Sequence, residues 1–194
     1  MGAFALCLAV SVLGCGTALR GFDYSKELDP RQSEFVVGPS DVLRINVWKT
    51  ADLSVECTVR PDGTITLPLI GDVIAAGRTP SLLRGEIKRK LTTFLRDDNP
   101  AIEVIVETVN SYHFTVAGNV EHSGVFNPKY FVSVTEAIAL AGGPNRYADL
   151  DQVLVLRQTG AGTHAIPVSL NEIYSGRHPE MDLMIVKEDR IFVP

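Results

Sequence analysis

Ser54-Val55-Glu56-Cys57-Thr58-Val59-Arg60, then Pro61-Asp62-Gly63, then Thr64-Ile65-Thr66-Leu67-Pro68-Leu69 alternate apolar and polar residues on either side of a turn signal. A period of two places Val55, Cys57 and Val59 on one face of a strand, and Ile65, Leu67 and Leu69 on one face of a return strand. Between them proline fixes φ, aspartate can bond its own backbone, and glycine accepts positive φ. The expectation is a β-hairpin across this stretch.

Working outward, Asp41-Val42-Leu43-Arg44-Ile45-Asn46-Val47-Trp48 alternates in the same way and reads as a half-buried strand. Downstream, Thr79 is placed to cap a helix, Pro80 suits its first position, and Leu83, Ile87, Leu91 and Phe94 or Leu95 recur at helical spacing. That stripe faces the sheet and leaves Lys88-Arg89-Lys90 toward solvent. Pro100 stops the helix before a strand at Ile102–Glu107. A second segment starts with the alternating Tyr112–Val116 and a tight turn between Gly118 and Gly124. Ser133-Val134-Thr135-Glu136 forms a capping box that opens a helix ended by Gly142-Gly143-Pro144. Val153-Leu154-Val155-Leu156 is apolar throughout, which predicts a strand buried on both faces. Gly160-Ala161-Gly162 turns the chain into a strand at His164–Val168, and Ile191-Phe192-Val193-Pro194 reads as a terminal strand. The fold class is α+β, with two small mixed domains at 35–111 and 112–194.

The N-terminus has another character. Gly2 to Gly14 carries no charge and is too short to cross a bilayer, which needs roughly 20 apolar residues. It ends in Val12-Leu13-Gly14-Cys15, which resembles a bacterial lipobox, although no Lys or Arg precedes the apolar run. Residues 1–15 are therefore read as a lipoprotein signal peptide with Cys15 as the lipidated residue, and 16–34 as a tether. A buried N-terminal strand or helix is the alternative. Cys7 leaves with such a signal, so Cys57 stays as the one ordinary thiol, a buried structural residue with no basic neighbour to activate it.

The chemistry of the chain is sparse. With 194 residues, a formal charge of −5, 45% apolar and 21% charged residues, it can build a packed core but offers no broad basic surface for nucleic acid. His113, His122, His164 and His178 are scattered without ligand spacing, so no metal or cofactor is expected. Gly160-Ala161-Gly162 lacks the lysine and helix of a phosphate loop. Asp149 and Asp151 could be mistaken for a glycosidase pair, but they suit a polar loop before a strand better. No catalytic residue is assigned.

Gly38-Pro39-Ser40-Asp41-Val42-Leu43-Arg44-Ile45, Val59-Arg60-Pro61-Asp62-Gly63-Thr64-Ile65 and Leu67-Pro68-Leu69-Ile70-Gly71 resemble the polysaccharide export sequence domain. The Gly118-to-Gly124 turn, the Ala141-Gly142-Gly143 helix end and the closing Asp189-Arg190-Ile191-Phe192-Val193-Pro194 resemble a soluble-ligand-binding β-grasp domain. Ser123 stands where that pattern often has proline, and Glu188 where it often has glycine. The chain is thus similar to the bacterial outer-membrane polysaccharide export lipoproteins. The resemblance implies a periplasmic, non-enzymatic component of a capsule or exopolysaccharide translocon, lipid-anchored to the outer membrane. It further implies a homo-oligomeric ring that works with an inner-membrane polysaccharide co-polymerase and conducts the exported polysaccharide. Longer relatives add β-grasp domains and a C-terminal pore helix. The chain resembles the short form, for which a separate outer-membrane β-barrel is the expected partner. A periplasmic carbohydrate-binding module that forms no ring is the alternative. Tyr130, Asn145, Arg146 and Tyr147 flank the second helix and are candidate saccharide contacts through ring faces, amide and guanidinium.

Overall fold

A computed structural model describes residues 21–95, 100–160 and 162–194. Its architecture is α+β, with short sheets, few helices and two separate apolar cores.

The first core lies under a three-stranded antiparallel sheet. Strand β1 (Val42–Val47) is central, flanked by β2 (Val55–Thr58) and, further along the chain, by β5 (Ile102–Thr108). The period-two pattern buries Leu43, Ile45 and Val47 and turns Arg44 outward. The expected hairpin over 54–69 does not form. Strand β3 (Thr64–Leu67) pairs instead with β4 (Gly71–Ile74) as a separate two-stranded sheet. The Pro61-Asp62-Gly63 turn is present, with Gly63 at φ 82° and its amide donating to the Arg60 carbonyl. The amides of Ala75 and Ala76 both donate to the Gly63 carbonyl, which brings the end of β4 to the turn. Leu69 is consequently not a strand residue. It sits at φ 65° in the β3–β4 turn and is 58% exposed.

Helix α1 (Pro80–Leu91) follows the expected signals. The Thr79 hydroxyl accepts from the Leu82 amide, and Leu83, Ile87 and Leu91 are buried one turn apart. Leu95 continues the stripe, whereas Phe94 is exposed. Lys88, Arg89 and Lys90 in the last turn complement the negative end of the helix dipole.

The second core is organised by the end of the chain. The sheet order is β7 (Gly124–Phe126), β6 (Phe114–Gly118), β10 (Arg190–Val193), β8 (Val153–Thr159), β9 (Gly162–Val168). The terminal strand therefore runs through the middle, parallel to β6 and antiparallel to β8. Strand β9 contains Pro167 and accordingly lies at an edge, where a missing N–H is tolerated. Strand β8 is not buried on both faces. Val153, Val155 and Arg157 are buried, while Leu154 and Leu156 are only partly covered, because helix α2 (Val134–Leu140) covers one face. That helix opens with the capping box of Ser133 and Glu136 and ends at Gly142 and Gly143, both with positive φ. A short helix α3 (Leu170–Tyr174), which periodicity did not indicate, buries Leu170. Fully burying side chains such as Phe114, Ile138, Ile166 and Ile191 contributes about 1.5–3 kcal/mol each.

Part of the stretch read as a tether lies against this second core. Phe22 and Tyr24 pack on it, and the Tyr24 hydroxyl donates to the Pro167 carbonyl at 2.6 Å.

Candidate functional site

The sequence motifs converge on three structural devices. The first is a joint between the two cores. Asp41 is fully buried, and one carboxylate oxygen accepts from the amides of Asn110 and Ser111, each at 2.7 Å. The other oxygen accepts from the Gly38 amide and the Ser111 hydroxyl, each at 2.8 Å. Asn110 also donates to the Ser40 carbonyl. Gly38 is confined here, since a Cβ would lie 2.5 Å from that of Ser111. The Gly38-Pro39-Ser40-Asp41 run thus ties the chain that enters the first core to the chain that enters the second.

The second device is a polar ladder on the exposed side of β3 and β4. Arg60 donates to Thr66 and Asp72, and the Thr66 hydroxyl donates to Asp72 at 2.7 Å. Asp62 accepts from the amide and hydroxyl of Thr64. Hydroxyl donors and the Arg60 guanidinium hold both carboxyls below the usual range. At this exposure such pairs shape the turn more than they stabilise it.

The third is a buried charge cluster. Arg157 binds the fully buried Asp189 through two nitrogens, and also reaches Glu27 and the Met184 carbonyl. Burial pushes the Asp189 carboxyl above its ordinary value, and the guanidinium offsets part of that. Glu27 also meets His164 at 3.1 Å, so this cluster fastens the segment around Phe22–Glu27 to β8 and β9.

Several candidate groups have plain structural duties. Cys57 is partly buried against the first core, and burial pushes its thiol up to about 11, so it is protonated at neutral pH. Asp149 accepts from the Asp151 amide and from Gln152, while Asp151 accepts from Ser169 and Asn171. Both are thus turn and cap acceptors. Among the described residues no cluster of three His, Cys, Asp or Glu side chains is arranged to hold a metal.

The candidate saccharide residues are only partly brought together. Asn145, Arg146 and Tyr147 form one loop, in which the Asn145 side chain accepts from the Tyr147 amide at 2.8 Å. The Arg146 guanidinium lies 4.6 Å from the centre of the Tyr147 ring and bonds its hydroxyl. Tyr147 is 67% exposed, yet one ring face is already occupied by Arg146. Tyr130, exposed in the loop before α2, shares no hydrogen bond or ring contact with that trio among the described residues. Phe131 beside it packs edge-on against Tyr112. Cys15 and the segment read as a signal peptide lie outside the described residues.

One surface carried no assignment from the sequence. Trp48 is 72% exposed and borders an open cleft of about 680 Å³ with Asn46, Lys49, Ser54, Ala101 and Glu103. The phase of β1 held the signal. Leu43, Ile45 and Val47 point inward and Arg44 outward, and the same alternation carried one residue past the strand puts Trp48 outward, in keeping with its exposure.

The motif residues thus build a joint, a turn ladder and a buried ion pair. Residues 29–107 match the family of polysaccharide biosynthesis/export proteins, and this match supports reading the chain as a protein of the polysaccharide export family. That family comprises export proteins and is not a family of enzymes. Over 176 residues the chain is 30% identical to the exopolysaccharide production protein ExoF of Rhizobium meliloti (strain 1021). The similarity covers 84% of this chain and 41% of ExoF, so the chain spans about two fifths of the length of that relative.

Proposed function

We propose that the protein is a periplasmic component of an exopolysaccharide export machine, anchored to the outer membrane by a lipid on Cys15. It assembles with copies of itself into a ring, receives polymer from an inner-membrane co-polymerase, and conducts it without synthesising or cleaving it. The observation that carries this reading is the export-family match over residues 29–107, whose motif residues serve the joint and the turns. Placement of the terminal strand between β6 and β8, parallel to the first, supports reading the second domain as β-grasp-like.

Deletion of the gene is the test. Surface or secreted polysaccharide should fall while glycosyltransferase activity in extracts stays intact. Normal polysaccharide in the deletion strain, with no paralogue compensating, would refute the export reading. Cys15→Ser tests the anchor: acyl labelling should disappear and the protein should leave the membrane fraction. A monomer by native mass spectrometry, with and without its partners, would replace the ring by an isolated binding module.

A further inference from the structure

We propose that the cleft beside Trp48 is a saccharide-binding subsite, in which the indole face stacks on a pyranose ring of a passing polymer. The proposal deepens the export reading and rests on it for the class of ligand. Its geometry stands independently.

The indole is presented by a tied turn. The Trp48 amide donates to the Ala101 carbonyl at 2.9 Å and the Thr50 amide to the Val47 carbonyl at 3.1 Å. Ser54 clamps the same turn, its hydroxyl accepting from the Val47 amide at 2.9 Å. Lys49 takes φ 63°, a left-handed conformation that an ordinary side chain adopts at a cost. An aromatic side chain held outward on a rigid support loses little freedom when a ligand covers it.

The surroundings supply what a sugar needs besides a flat apolar face. Asn46, two residues before Trp48, lines the same cleft. Its amide bonds Glu103 at 3.2 Å across the β1–β5 pair. Amide, carboxylate and the Lys49 ammonium offer both donors and acceptors to hydroxyl groups. The cleft is open to solvent, which suits a chain that must slide and not be caged. Among the described residues no cation or ring lies over Trp48, whereas the Tyr147 ring is occupied by Arg146.

Trp48 is the only tryptophan in the sequence, so tryptophan emission, excited beyond the tyrosine absorption band, reports this cleft alone. The full-length protein is titrated with oligosaccharides from partial hydrolysis of the parent strain's own exopolysaccharide, and with cellohexaose as a neutral probe. A saturable change in emission is expected with at least one of them. Affinity electrophoresis through the same polysaccharide should show retention weakened about tenfold by Trp48→Ala and much less by Trp48→Phe. Asn46→Ala keeps the fluorophore and should shift the titration midpoint to higher concentration. Equal thermal melting of these variants and the native protein separates lost binding from lost folding. No saturation with either probe up to about 10 mM, or equal retention of Trp48→Ala, overturns the proposal and leaves the export reading to the deletion test. A blue shift on phospholipid vesicles without any sugar response also overturns it, assigning Trp48 to a membrane surface.

Discussion

The buried carboxylate of Asp41 accepts both the amide and the hydroxyl of Ser111, at 2.7 and 2.8 Å, across 70 residues of sequence. One aspartate therefore satisfies the backbone where the chain passes between two cores, and it also accepts the amides of Gly38 and Asn110. Asp41→Ala leaves these donors without an acceptor. The expected loss is about 3 kcal/mol or more. Urea unfolding should broaden or split into two transitions as the cores uncouple, and a single unshifted transition would contradict this role.

Gly118 ends β6 at φ 96°, and a Cβ there would stand 2.0 Å from the Val193 carbonyl oxygen. The obstacle is backbone of the central strand β10, which cannot move without breaking its pairing. Gly118→Ala should destabilise the protein by about 2–4 kcal/mol. Gly143 also has positive φ but open space around it, so Gly143→Ala should cost less. Thermal melting of the two variants checks the order.

Glu188 occupies φ 68° in the turn that launches β10 and is exposed. A left-handed conformation costs an L-residue roughly 1–2 kcal/mol, and glycine avoids that while adding about 0.5–1 kcal/mol of unfolded-state entropy. Glu188→Gly should therefore raise stability by about 0.5 kcal/mol, measured as a higher urea midpoint with an unchanged slope.

Burial raises the Cys57 thiol from 9.0 to about 11. Its folded pKa lies above the unfolded one, so its contribution is fully present below pH 9.0 and is lost as pH climbs toward about 11. Cys57→Ala should flatten this part of the alkaline stability profile relative to the native protein. Peptide-resolved alkylation should find Cys57 slow to react with iodoacetamide at neutral pH and fast after unfolding. Rapid native alkylation would show the thiol to be accessible and ionised.

Local chemistry determined much of this molecule. Alternation announced β1, and helical spacing with Thr79, Pro80 and the Ser133–Glu136 box announced α1 and α2. These signals are legible because each rests on neighbours within about one or two turns or a single strand. Pairing was decided elsewhere. Strand β3 pairs with β4 and not with β2, and the Ala75 and Ala76 amides close that pair onto the Gly63 carbonyl, a choice of partner that alternation does not name. Terminal β10 took the centre of its sheet through partners in β6 and β8, which alternation alone does not name. The site divided along the same line. The outward phase of Trp48 was written in β1, but its cleft needed Glu103 from β5 and a turn tied by Ser54. Likewise Asp41 and Asp189 read as motif letters in the sequence. Only the tertiary structure, by burying each carboxylate among donors remote in sequence, made the one a joint and the other half of an ion pair.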